Sequence, residues 1–95
     1  MTTINNASES LYSLALSQMY DRKAADSIYE AKLFDGEDEE MVKEMMKEAK
    51  AHKQKSIELL EKVELSDLEK YRNKKLTPKS NLSHNDFRYC VIIED

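Results

Sequence analysis

The chain has 95 residues, of which 36% are charged and 40% hydrophobic, and its formal net charge is −4. A chain of this length forms one domain at most, and its hydrophobic fraction suffices for a small core, which argues against full disorder. Its one Gly and one Pro are too few turn residues for an all-β fold. The acidic balance disfavours a nucleic-acid partner, because it provides no overall attraction to phosphate.

The cellular compartment is predicted from what the sequence lacks. Cys90 is the single cysteine, so no internal disulfide can form and a reducing compartment is expected. The first ten residues have neither the basic nor the apolar stretch of a secretory signal. No apolar run approaches the ~20 residues that span a bilayer. We therefore expect a cytoplasmic protein without a membrane partner.

Two long helices are predicted in the first two thirds of the chain. The first is expected over about 6–34, with Asn or Ser within 5–8 as its N-cap and Gly36 just beyond its end. The second is expected over about 37–64, and it opens with four acidic residues that complement the helix dipole. A short connection between long helices predicts an antiparallel hairpin.

The remainder of the chain predicts two short elements. Ser66 and Glu69 have the spacing of a capping box, which predicts a third helix over about 67–75, ended by Pro78. The aromatic and β-branched run near the C-terminus predicts one strand over about 87–93. The fold class is therefore mainly α: a single helical-hairpin domain over 1–95 with a single C-terminal strand.

Apolar and small residues recur at steps of three and four on both long helices, as expected for facing helix surfaces. On the second helix they are Val42, Met45, Ala49, His52, Ser56, Leu59 and Val63. On the first helix they are Leu14, Ser17, Asp21, Ala24, Ile28 and Ala31. With the turn centred near Gly36, partner numbers sum to about 73. This pairing predicts a polar core layer formed by Ser17, Asp21, His52 and Ser56.

The predicted layer contains Ser, His and Asp, but a helix seam provides neither an oxyanion hole nor a substrate cleft. We therefore interpret the layer as a device that fixes helix register, and we predict no catalytic residue. Di-iron helical proteins need Glu-x-x-His pairs, whereas Glu48 and His52 are four residues apart. The sequence predicts no metal site and no cofactor.

The first helix has a second apolar face, and the C-terminal strand has no partner in the sequence. A third helix, the strand or another chain must cover that face. We predict an interface formed by Leu11, Tyr12, Leu16, Met19, Tyr89, Val91 and Ile93. The strand is expected to pair with the same segment of a second copy or to extend a target's sheet.

Two further clusters have a structural and a functional interpretation. The basic run near the third helix is either a solvated helix end or a set of phosphate or ligand contacts. Its members are Lys70, Tyr71, Arg72, Lys74 and Lys75. Met41, Met45 and Met46 are either core filler or an adaptable binding face.

These features favour binding over catalysis. We expect a small non-enzymatic intracellular regulator, inhibitor or adaptor that binds a protein partner of unknown identity and forms a homo-oligomer. The alternative is a small-ligand binding or sequestering protein that holds a phosphorylated nucleotide between copies.

Overall fold

The computed structural model describes residues 1–80 and 89–94 of the chain. Its elements confirm a mainly α fold with a long antiparallel hairpin, a short third helix and a C-terminal strand. In chain order they are β1 (Thr2–Ile4), α1 (Glu9–Leu33), α2 (Glu39–Leu60), α3 (Leu65–Lys70), β2 (Lys75–Ser80) and β3 (Tyr89–Glu94). The first two residues of the predicted strand lie outside the described part of the chain.

Side-chain caps define where both long helices begin. The Ser8 hydroxyl accepts a hydrogen bond from the Leu11 N–H at 3.1 Å, and the Asp38 carboxylate accepts one from the Met41 N–H at 3.1 Å. Between the helices, Gly36 has φ +87°, a conformation that glycine adopts without steric cost. The turn therefore lies where the sequence places it.

The seam between α1 and α2 has the predicted register. Ser17 and Ser56 are hydrogen-bonded to each other across it, and their numbers satisfy the predicted sum. The buried residues of α1 include a series of small side chains at helical spacing: Ser10, Ser13, Ser17, Ala24, Ser27 and Ala31. The face of α1 that meets α2 is therefore turned by roughly 40° from the predicted stripe, and Leu14 instead joins the core beneath the sheet.

The C-terminal strand is the centre of a three-stranded antiparallel sheet with the order β1-β3-β2. Ile93 lies opposite Thr2 on one side and opposite Leu76 on the other. Contrary to the sequence-based expectation, the strand is not single, and the predicted pairing with a second chain is wrong. The two missed strands have weak local signals, because β1 has three residues and β2 contains Pro78. Proline is tolerated there because β2 is an edge strand.

The sheet covers the second apolar face of α1. The main core cluster consists of Leu11, Leu14, Ala15, Tyr71, Leu76, Val91 and Ile93. The predicted assignment of Leu11, Val91 and Ile93 to an intermolecular interface is thus corrected: they are buried within their own chain. Because the chain's own strands cover this face, burial of its apolar side chains stabilises the fold itself and does not require a second chain.

The third helix spans Leu65–Lys70 rather than the predicted 67–75. Ser66 lies inside it and is not its cap, and the preceding Glu64 N–H donates to the Ser10 hydroxyl of α1 at 2.7 Å. After α3 the buried ring of Tyr71 anchors the chain, and the backbone then enters β2. Tertiary contacts with α1 and the sheet therefore set both limits of this helix.

Candidate functional site

The centre of the hairpin seam contains two buried serines with reciprocal contacts. The Ser17 hydroxyl is 3.0 Å from the Ser56 carbonyl oxygen, the Ser56 hydroxyl is 3.0 Å from the Ser17 carbonyl oxygen, and the two hydroxyls are 2.9 Å apart. Ser17 is 2% exposed and Ser56 is 1% exposed. Every polar atom of the pair has a partner, so the pair is suited to joining the helices and offers no group to a ligand.

The other two members of the predicted polar layer have different partners. Asp21 accepts a hydrogen bond from Lys53 at 2.8 Å, with both side chains largely exposed. The ring of His52 lies 6.0 Å from the ring of Tyr20. The expected contact between Asp21 and His52 is thus replaced by these two contacts, because the rotation of α1 places Tyr20 beside His52.

An open groove of about 410 Å³ runs between α1 and α2 on one side of the hairpin. The α1 wall consists of Asp21, Ala24, Ala25 and Ile28. The α2 wall consists of Met46, Ala49, Lys50 and Lys53. Ala24 and Ala49 are buried, and their small side chains leave a depression between the helices. We call these eight residues the hairpin groove.

The hairpin groove combines apolar walls with a charged rim. Ile28 is 37% exposed and Met46 is 41% exposed, so both walls present apolar surface to solvent. Lys50 and Lys53 stand on the α2 side, and Asp21 stands opposite them on α1. Since Asp21 pairs with Lys53, Lys50 carries a charge that no groove carboxylate neutralises.

The sequence contained a partial signal for this groove. Met46 belongs to the methionine cluster for which an adaptable binding face was one interpretation, and Ala24, Ile28 and Ala49 belong to the predicted stripes. Ala25, Lys50 and Lys53 were missed, because they are exposed residues outside both stripes. A search for residues one helical position beside the buried seam would have identified them.

The basic run does not form one cluster. Tyr71 is 8% exposed and belongs to the core, so its ring is not available for the ligand contact that was one of the two interpretations. The Lys70 ammonium lies 5.4 Å from the centre of that ring, and the Lys75 ammonium lies 4.0 Å from a Glu94 carboxylate oxygen. Arg72 lines a cavity of about 320 Å³ beside α3, and the Lys74 carbonyl accepts a hydrogen bond from Gln18.

The remaining residues of the predicted interface lie at the edge of the core. The rings of Tyr12 and Tyr89 pack with their centres 4.4 Å apart. Leu16 and Met19 are half-buried on α1. Of the seven predicted interface residues, Tyr89 has the largest exposed fraction, 43%.

Comparisons of the chain with protein-family models, with curated proteins and with solved structures give no match. Within 1–80 and 89–94 no helix is long and apolar enough to cross a membrane. The same ranges contain no group of three His, Cys, Asp or Glu residues placed to hold a metal ion.

Proposed function

We propose that this protein is a non-enzymatic regulator, inhibitor or adaptor that binds a protein partner in the hairpin groove. It would do so inside the cell, in keeping with its single cysteine. The observation that carries the proposal is the groove itself: an apolar depression between two long helices, with Ile28 and Met46 exposed at its walls. Such a depression is the kind of surface on which helical proteins bind partners.

The groove is favoured over the second apolar face of α1 because the sheet already covers that face. Leu76 and Val91 of the sheet are fully buried against it. In the hairpin groove, by contrast, the apolar side chains of Ile28 and Met46 are exposed to solvent beside two lysines. A partner that buries Ile28 and Met46 would gain free energy roughly in proportion to the apolar area removed from water, about 25 cal/mol per Å².

Site-specific photocrosslinking tests the proposal. A photoreactive amino acid replaces Ala25 in the groove in one variant and the exposed Ala51 on the far side of α2 in the other. Both are incubated with lysate of the source cells. We expect a discrete adduct from position 25 and none from position 51, because only the first lies beside the bound partner.

A second substitution connects the adduct to the groove. Ile28→Asp places a charge in the apolar wall and should abolish the adduct at position 25, while circular dichroism confirms that the variant is folded. Equal labelling at positions 25 and 51, or an adduct that survives Ile28→Asp, contradicts the proposal. An adduct with twice the mass of the chain identifies a second copy as the partner.

A further inference from the structure

We infer that the hairpin groove receives an amphipathic helix that carries acidic residues beside its apolar stripe. The inference rests on the proposed function and specifies the secondary structure and charge of the partner. Three features of the molecule support it: the closed edges of the sheet, the dimensions of the groove and the charges on its rim.

The sheet offers little to a partner that would bind as an added strand. The Leu76 N–H donates to the Gln18 side-chain oxygen at 2.8 Å, and the Leu76 carbonyl accepts from Arg22 at 3.3 Å. In an antiparallel strand every second residue directs both groups to the same side. Pro78 therefore faces the same outer edge of β2 and has no N–H to donate.

The opposite edge is equally unsuited to strand addition. β1 spans three residues, and Thr2 and Ile4 lie opposite Ile93 and Val91. The Ala7 N–H continues this pairing by donating to the Tyr89 carbonyl at 2.8 Å. By the same alternation, Thr3 alone within β1 directs its backbone groups outward. A strand this short is a common way to prevent edge pairing.

The dimensions of the groove match a short helix. Asp21 and Ile28 mark the two ends of its α1 wall, and Met46 and Lys53 mark the ends of its α2 wall. Each wall covers seven residue steps, or about 10 Å of helix axis. That length accommodates side chains at positions i, i+3, i+4 and i+7 of a third helix, the usual anchors of helix-in-groove recognition.

The rim determines the charge of the partner. Two lysines and one aspartate surround the groove, and Asp21 is already paired with Lys53 at 2.8 Å. Among the described residues, Lys50 has no carboxylate within ion-pair distance. A helix with Asp or Glu beside its apolar stripe would pair with Lys50, whereas a basic helix would be repelled.

Selection from a random 16-residue peptide library displayed on phage tests the form of the partner. The full chain is the bait, and Ala25→Arg, which fills the groove, is the counter-selection target. We expect enriched peptides with apolar residues at helical spacing and with Asp or Glu beside them. Enrichment of extended or basic peptides, or no enrichment over Ala25→Arg, overturns the inference.

Charge reversal tests the role of Lys50. Binding of an enriched peptide is measured by fluorescence polarisation against Lys50→Glu and against the control Lys55→Glu. Lys55 is exposed and lies about 140° around α2 from Lys50. We expect Lys50→Glu to weaken binding about fivefold to tenfold, as an attractive contact becomes repulsive, and Lys55→Glu to change it less than twofold. Equal effects of the two substitutions contradict the charge assignment.

The selection and the crosslinking experiment separate the two proposals. A groove adduct together with failure of the selection preserves the proposed function and rejects the acidic helix. Failure of both rejects both. Oleate below its micelle-forming concentration provides a third probe. If it shifts the NMR signals of Ala25 and Ile28 while neither an adduct nor an enriched peptide is found, the groove binds an anionic amphiphile and both proposals are wrong.

Discussion

Ser17 and Ser56 have one hydroxyl proton each, yet the pair makes three contacts of 2.9–3.0 Å. At any moment two of these contacts carry a proton, and the third oxygen pair does not. The two protons can therefore be arranged over the three contacts in more than one way. Its small side chains also allow the helix backbones to approach, which larger residues would prevent.

Substitution of these serines should reveal their coupling. Ser17→Ala and Ser56→Ala should each lower the free energy of unfolding by about 1 kcal/mol. The double variant should lose less than the sum, with a coupling of about 0.5–1 kcal/mol. Urea denaturation of the four proteins measures the cycle. Strictly additive losses would show that the two hydroxyls act independently.

At the scale of elements, α1 holds β2 through the Gln18 side chain. Its amide N–H donates to the Lys74 carbonyl at 3.1 Å, and its oxygen accepts from the Leu76 N–H at 2.8 Å. One side chain thus joins α1 to the beginning of an edge strand. Its hydrogen bond to the Leu76 N–H satisfies a backbone group on the outer edge of β2.

Two substitutions at Gln18 separate its two hydrogen bonds. Gln18→Leu removes both partners, and we expect the Leu76 amide to exchange with solvent at least about tenfold faster. Gln18→Glu keeps the acceptor, so this amide should remain protected. Hydrogen exchange followed by NMR makes the measurement. Unchanged protection in Gln18→Leu would mean that another group holds this amide.

The helix caps provide a second test at this scale. Ser8→Ala and Asp38→Ala each remove a side-chain acceptor from a helix N-terminus and should cost about 0.5–2 kcal/mol. Ser66→Ala should change stability by less than about 0.5 kcal/mol, since Ser66 lies within α3. Chemical denaturation compares the three. If Ser66→Ala lowered the free energy of unfolding as much as Ser8→Ala, Ser66 would act as a helix cap, as the sequence predicted.

At the scale of the whole molecule, the two ends of the chain meet in the sheet. β3 lies between β1 from the N-terminus and β2, and β2 and β3 pack on α1. Loss of β3 would remove the ladder partner of both other strands. The sheet and the hairpin are therefore expected to unfold as one unit.

A core substitution tests this expectation. Leu76 is 0% exposed, and Leu76→Ala should lower the free energy of unfolding by about 2–5 kcal/mol. Leu65 is 69% exposed, and Leu65→Ala should change it by less than about 0.5 kcal/mol. Circular dichroism should show sheet and helices lost in one transition. If the helical circular dichroism signal persisted after the tyrosine fluorescence had changed, the hairpin and the sheet would unfold as two separate units.

The oligomeric state remains a prediction. The C-terminal strand is paired within its own chain, so self-association would have to use a surface other than this strand and the hairpin groove. Sedimentation equilibrium at micromolar concentration measures it. We expect a species heavier than 11.1 kDa that Ile28→Asp leaves assembled. A clean monomer would contradict the prediction.

The helical hairpin was predictable from the sequence because its signals are local. The caps, Gly36 and the steps of three and four act over a few residues, and the register of Ser17 and Ser56 follows from the position of the turn. The serines belong to the predicted polar layer, and half of the groove residues belong to the predicted stripes. Such features survive without knowledge of the rest of the chain.

The tertiary structure alone decided the rotation of α1 and the sheet. Leu14 belongs to the core cluster beneath the sheet and not to the hairpin seam, and the strands that complete this cluster come from distant parts of the chain. That rotation brings Tyr20 to His52 and leaves Asp21 for Lys53. β1 and β2 form strands because they pair with β3, and β1 lies at the other end of the sequence from β3. Such long-range pairing leaves little trace in local composition.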